Sequence, residues 1–327
     1  MRTGRYAPSR PPLASIPLFG GACPVKGLRC CSFSATSEPR PMAHGPTYYE
    51  GRGACIYCGD STSRLTDEHI VPLALGGQHV LRKASCLACA DVTKKFEQRV
   101  ARGLWGDART SYGAPTRRKK ERRSHIEMPD LRMSGRTLRI PANEYPAVLV
   151  FYKMNIPGIL LGLPDDIDTS NTWTFLAIDD EARRTTHLAK YPDNLAVKFQ
   201  HVPQDFGRLL LKIGFCQALT TVDPGDFEPI CLPYILGQKQ NVSYLVGNAA
   251  GQHVPQPFGY NLGTEFLGNL NELLVVANVR LYANTFAPGY QVVVGRVKGA
   301  ELAAKILSKV EARDGLEVQP LTGNSVS

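Results

Sequence analysis

Two Cys-x-x-Cys pairs constrain this chain more than any other feature: Cys55 with Cys58, and Cys86 with Cys89. Four thiolates in two such pairs suit the tetrahedral coordination of a structural zinc ion, and residues 59–85 form a loop that one site can close. A single pair of this kind can also be a redox couple. Because two pairs bracket one short polar segment, we predict that the four cysteines bind Zn²⁺.

The segment between the pairs places an acidic residue directly before a histidine, Glu68 and His69. Pro72 and the glycine pair 76–77 follow, and such residues mark a turn and a loop. We therefore expect a short strand through Glu68 and His69, and a second strand over 79–81.

The second cysteine pair opens a predicted helix. Its apolar residues recur at four-residue intervals, which gives one buried face: Val92, Phe96, Val100 and Leu104. The predicted order of this segment is strand, loop, strand, helix.

The combination of CIYC, of EHIVP followed by LGG, and of CLAC before a helix resembles the HNH endonucleases, the ββα-metal nucleases, in their zinc-stapled form. The resemblance covers residues 55–97. It implies that one divalent ion, Mg²⁺ or Mn²⁺, polarises the scissile phosphate while a histidine deprotonates a water molecule. Carried over, Glu68 is a ligand of that ion and His69 is the general base. Neighbouring side chains on a strand point to opposite faces, so both roles require a twisted or bulged backbone here.

Two positions differ from the family pattern. Leu81 lies near the place where the family carries an Asn or His that orients the base, and Ala90 directly follows the last cysteine, where the family carries the second metal ligand. Asp91 comes next and is the expected oxygen ligand in its place, ahead of Glu97. The alternative interpretation of His69 is a histidine that packs or forms hydrogen bonds inside the zinc module.

The positive charge lies in the first part of the chain. Residues 1–125 contain 21 Lys and Arg against 9 Asp and Glu, whereas residues 126–327 contain 17 against 20. Such an asymmetry favours a polyanionic partner, because neutralising phosphates is the main sequence-independent term in nucleic-acid affinity. The alternative is a basic segment that serves only solubility.

A dense run of cations follows the zinc module. We predict phosphate contacts without sequence specificity for Arg117, Arg118, Lys119, Lys120, Arg122 and Arg123. The predicted function is a metal-dependent HNH-type endonuclease acting on nucleic acid, with DNA the expected polymer. The alternative is a catalytically inactive, zinc-stapled protein that binds nucleic acid. A third interpretation is a zinc module that binds another protein.

The predicted fold class is α+β: a small zinc-stapled ββα module of the HNH type, followed by a mainly antiparallel α+β domain. The predicted units are a disordered extension (1–47), the module (48–105), a basic linker (106–125), the α+β domain (126–312) and a flexible tail (313–327). In the domain we predict strands at 147–154, 158–163, 173–178, 196–202, 244–246, 272–282 and 290–297, and helices at 205–220 and 301–311.

The cysteines outside the two pairs show no regular spacing, so a disulfide framework is not expected and a cytoplasmic protein is the simpler prediction. The sequence contains no run of 18 apolar residues, so we predict no membrane span. An acid-poor N-terminus rich in Arg and Ser is typical of a transit peptide. We prefer the interpretation that Met42 is the true start.

Overall fold

The computed structural model describes residues 46–116, 119–192, 196–251, 253–268 and 272–314. The predicted extension up to residue 45, Met42 included, and the tail from 315 lie outside these ranges. The strands are β1 (Thr47–Tyr49), β2 (Leu65–His69), β3 (His79–Cys86), β4 (His125–Pro129), β5 (Thr137–Pro141), β6 (Leu149–Lys153), β7 (Thr174–Ile178), β8 (Val246–Asn248), β9 (Tyr260–Gly268), β10 (Glu272–Leu281) and β11 (Tyr290–Lys298). The α-helices are α1 (Leu87–Arg99), α2 (Gly106–Ser111), α3 (Glu181–Lys190), α4 (Pro203–Ala218), α5 (Leu232–Ile235) and α6 (Ala300–Asp314).

The cysteine-bearing segment has the predicted ββα order. β2 and β3 form an antiparallel hairpin, β1 adds to β3 in parallel, and α1 follows β3 without a break. β3 extends to Cys86, well beyond the predicted end at residue 81. The apolar face of α1 packs inward, since Phe96 and Val100 are fully buried.

The helix changes geometry where the module meets the rest of the chain. A π-helical turn spans Val100–Leu104, and Trp105 follows with its backbone N–H donating to the carbonyl of Val100. The Trp105 indole is fully buried and donates a hydrogen bond to the carbonyl of Val150 at 2.7 Å. Its ring lies 5.3–5.8 Å from the rings of Phe151, Phe206 and Tyr282. This one side chain therefore fills space between the module and the later elements.

Helix α4 lies at the centre of the protein. Its residues are buried almost all round: apart from Arg208, every residue from Asp205 to Ala218 is buried. One side packs on the sheet β8-β11-β10-β9, where Gly214 allows close approach: a Cβ there would lie 2.9 Å from Val292 and 3.1 Å from Ala277. Another side packs on α1, with Arg99 of α1 3.3 Å from Asp205 of α4.

The α+β class with antiparallel sheets is confirmed, and so is the hairpin of β10 and β11. The strand predicted over 158–163 is wrong: Gly158–Leu161 is a 3₁₀-helix that ends at Gly162 with φ 70°. No strand forms over 196–202. A short apolar run does not by its periodicity distinguish a strand from a buried helical turn, which explains both errors.

The prediction omitted several elements that the structure contains: the β4–β5 hairpin, α3 and strand β9. The predicted module and the predicted α+β domain share one cluster of buried side chains, which runs from Cys55 to Ile306. The division into domains stays a prediction. Within the described ranges, no helix has both the length and the apolar character to cross a bilayer.

The shared core predicts that module and sheet unfold together. Trp105→Ala should lower the free energy of unfolding by about 4 kcal/mol, because it leaves a cavity between several aromatic rings. The exposed Leu131→Ala is the control and should change it by less than about 0.5 kcal/mol. Urea unfolding followed by circular dichroism measures both. Two separate transitions, of which Trp105→Ala shifts only one, would contradict the shared core.

Candidate functional site

The four cysteines converge on one point. Cys55 and Cys58 lie in the loop before β2, Cys86 ends β3, and Cys89 lies in the first turn of α1. Their sulfur atoms all lie within 4.8 Å of one another, and Sγ of Cys58 is 3.7 Å from Sγ of Cys86. Tetrahedral Zn–S bonds of about 2.3 Å place sulfur atoms roughly 3.8 Å apart. The predicted four-cysteine metal site is therefore assembled, and the donor set fits zinc.

Local backbone geometry supports this site. Gly59 adopts φ 76°, and its N–H donates to the carbonyl of Cys55 at 2.8 Å, which closes the tight turn of the first pair. Burial alone would raise the pKa of Cys55, but hydrogen bonds from the backbone of Cys86, Cys58 and Tyr57 lower it below its ordinary value. These N–H groups favour the thiolate, the form that binds metal.

The acidic residue of the acid–histidine pair points into the protein. Glu68 on β2 is 7% exposed, and its Oε1 lies 2.7 Å from Nζ of Lys212 on α4. Lys212 is itself fully buried. Its Nζ also lies 3.0 Å from Oε1 of Glu97 on α1 and donates to the carbonyls of His69 and Ile70. The carboxylate of Glu68 is thus engaged by an internal cation.

The charges around Lys212 outweigh its burial. Burial alone would lower the pKa of this ammonium, but the carboxylates of Glu68 and Glu97 raise it above its ordinary value. The two carboxylates therefore favour the charged form of Lys212.

His69 is half-buried at the end of β2. The strand does contain a bulge, but the bulge lies between Thr66 and Glu68. From there the pairing is regular, with Glu68 opposite Leu81 and His69 opposite Val80. Regular pairing places the Glu68 and His69 side chains on opposite faces of the hairpin. The bulge therefore does not bring the two side chains to one point.

The hairpin of β2 and β3, helix α1 and the four cysteines lie in one continuous segment of the chain. Residues 55–103 match the model of the HNH endonuclease family. No curated protein and no solved structure matches the chain. The family match ends at the π-helical turn, so it covers the segment we call the HNH module, residues 55–103.

The second predicted ligand of the hydrolytic ion lies on a different face of α1. Asp91 is exposed, whereas Glu97 faces Lys212. They are six positions apart, which is about 9 Å along a helix and roughly a third of a turn around it. Leu81 is buried opposite Glu68 in the hairpin. Ala90, which follows the last cysteine, has no ligand atom.

The residues of the HNH module fit a structural zinc ion and do not fit a hydrolytic divalent ion. Within the described ranges, the four cysteines are the group of metal-ligating side chains that meets at one point. The carboxylate that the family resemblance assigns to the hydrolytic ion, Glu68, is paired with Lys212. We therefore derive no catalytic step through such an ion.

The predicted nucleic-acid-binding run is only partly described. Arg117 and Arg118 lie outside the described residues. Lys119 begins the 3₁₀-helix Lys119–Glu121, and Lys120, Arg122 and Arg123 are exposed. Arg123 pairs with Asp107 at 2.7 Å, and Arg122 donates to the carbonyl of Ala114. Arg123 is thus held at the first turn of α2, and Arg122 just beyond its last residue.

A basic groove escaped the sequence prediction. It has a volume of 540 Å³ and is lined by Lys95, Gln98, Arg99, Arg102, Gly103 and Gln200. The spacing of the three cations along the helix was a visible signal, but Gln200 comes from a distant segment. Lys212 also escaped prediction, although it is the one cation in the apolar stretch LLLKIGFC.

We expect one zinc ion per chain. Cys86→Ala should lose the zinc and lower Tm by on the order of 10 °C, since a structural metal contributes its binding energy to folding. The matched control is Cys231→Ala, a buried cysteine outside the cluster, which should keep its zinc. Elemental analysis and thermal melts measure both. Equal zinc content in the two variants would contradict the four-cysteine site.

Proposed function

We propose that this protein binds nucleic acid, with DNA the expected polymer, through the exposed cations of its HNH module. The observation that carries the proposal is the basic groove beside α1. Its three cations, Lys95, Arg99 and Arg102, are exposed and line one depression. Phosphate contacts from Lys and Arg supply most of the sequence-independent affinity for nucleic acid.

The groove has a defined architecture. Gly103 and Gln200 are in contact: the backbone N–H of Gln200 donates to the carbonyl of Gly103 at 2.8 Å, and a Cβ at 103 would lie 2.5 Å from Oε1 of Gln200. Arg99 is oriented by Asp205 at 3.3 Å. Arg102 and Gly103 of the groove belong to the π-helical turn, and such turns are frequent at functional sites. Charged and amide side chains are thus presented together, as a phosphate backbone requires.

Other exposed cations add to the positive charge of the module. Lys94 is exposed on α1, and Arg82 and Lys83 are exposed on β3. The positively charged first part of the sequence, residues 1–125, also contains the Lys120 to Arg123 segment. These contacts carry no base-specific information, so we propose binding of low sequence specificity.

The second candidate function is the metal-dependent HNH endonuclease. One observation favours it: the acid–histidine pair Glu68-His69 lies inside the segment that matches the family, and His69 is half-buried at the end of its strand. The engagement of Glu68 by Lys212 favours binding without hydrolysis. For that reason we place binding first.

Lys95→Gln combined with Arg102→Gln should weaken binding of duplex DNA and reduce the slope of log K against log salt by about 2, or about 1 per lost phosphate contact. Fluorescence anisotropy at several salt concentrations measures the slope. The matched control, Arg139→Gln with Lys153→Gln, removes two exposed cations that do not line the groove and should leave the slope unchanged. Equal effects of the two double variants would exclude the groove as the binding site.

The same preparations test the second candidate. Plasmid DNA and RNA are incubated with wild type and with His69→Ala, in Mg²⁺, Mn²⁺ or EDTA. We expect salt-sensitive binding and no cleavage in any metal. Metal-dependent cleavage that disappears in His69→Ala would establish the endonuclease instead. Absence of binding to both polymers would eliminate both candidates.

A further inference from the structure

The ammonium group of Lys212 lies in a shell of oxygen atoms. Oε1 of Glu68 is 2.7 Å away, Oε1 of Glu97 is 3.0 Å away, and the carbonyl of Ile70 is 3.3 Å away. The carbonyl of His69 accepts a further hydrogen bond. Carboxylate and carbonyl oxygens converging on one point are the ligand set that Mg²⁺ and similar hard cations prefer.

This shell joins the same elements that hold the hydrolytic ion in the family resemblance. Glu68 is the acid of the acid–histidine pair on β2, and Glu97 lies on α1, the helix that follows the cysteines. Lys212 bridges strand and helix from outside the HNH module, since α4 begins at Pro203. An internal cation thus lies between a carboxylate of β2 and a carboxylate of α1.

The two carboxylates depend on this cation. Oε1 of Glu97 is buried and, among the described residues, has no hydrogen-bond partner, so the charge of Lys212 is what compensates it. Glu68 is likewise buried beside the same ammonium. Without Lys212, the buried carboxylate of Glu68 and the half-buried carboxylate of Glu97 would face each other without the positive charge of Lys212 between them. That arrangement is unfavourable unless a proton or another cation enters.

We propose that Lys212 is a built-in cation that replaces the hydrolytic divalent ion of the HNH module. The inference goes beyond nucleic-acid binding and does not depend on it. It accounts together for the burial of Glu68, for the oxygen shell, and for Ala90 at the position where the family carries a ligand. In this protein the module retains the four-cysteine zinc site, and Lys212 of α4 takes the place of the hydrolytic ion.

The test compares divalent-ion uptake with and without the Glu68 carboxylate. Zinc-loaded wild type and Glu68→Gln are titrated with Mn²⁺, and free Mn²⁺ is followed by electron paramagnetic resonance. We expect equal uptake, because Lys212 already occupies the shell. Loss of one equivalent of Mn²⁺ in Glu68→Gln would overturn the proposal.

The reciprocal variant should create the missing site. In Lys212→Met we expect one additional equivalent of Mn²⁺ and a Tm that rises with Mn²⁺ concentration, as mass action requires for an ion that binds only the folded state. The control Lys212→Met with Glu68→Gln should lose both effects. Lys212→Met that folds without taking up Mn²⁺ would contradict the replacement and leave only a structural ion pair.

A measurement on wild type alone covers the case in which these variants do not fold. The ¹⁵N resonance of a buried lysine ammonium, protected from exchange with water, reports directly on Lys212. We expect this resonance to stay unchanged in excess Mg²⁺. Displacement of the resonance by Mg²⁺ would show that the divalent ion competes for the shell, and the proposal would fail. Nucleic-acid binding plays no part in these readouts.

Discussion

The arrangement of this protein depends on the ion pairs of the fully buried Lys212 ammonium with Glu68 and Glu97. A charge in the interior is stable only when hydrogen-bond acceptors and opposite charges surround it, and removing one partner leaves the others uncompensated. Here the partners come from β2 and α1, while the lysine comes from α4. Their mutual requirement fixes the central helix against the HNH module. The same contact bears on the proposed function, because the carboxylate that the family resemblance assigns to a metal ion faces an ammonium group.

Two kinds of interaction therefore stabilise the small ββα unit. At one end four cysteines from a loop, β3 and α1 meet within 4.8 Å, which suits a structural zinc ion. At the other end Lys212 joins the hairpin and helix to α4, and Trp105 packs its indole among rings of later elements. Such a short segment has little core of its own, so metal and neighbouring elements both contribute to its stability.

The proposed function separates the interior of the HNH module from its surface. In the interior, Lys212 lies between the carboxylates of Glu68 and Glu97. The surface carries a groove with three exposed cations beside the π-helical turn, and binding through such a groove requires only that the scaffold be rigid. A fold associated with cleavage can in this way serve recognition, since phosphate contacts and hydrolysis rest on different residues.

The sequence by itself determined the features that depend on the spacing of residues close together in the chain. The two cysteine pairs, the ββα order and the apolar face of α1 follow from residues close in the chain, and so does the helix at α4, whose apolar residues recur at helical spacing. The turn at 158–161 escaped prediction because neighbouring elements, rather than local periodicity, decide its form. The acid–histidine pair was visible in the sequence, but its partner was not. Lys212 lies 143 residues beyond His69, and only the packing of α4 against the hairpin brings its charge to Glu68. Whether a carboxylate faces a metal ion or an ammonium group depends on which charges the fold places within a few ångströms, and spacing along the chain does not contain that information.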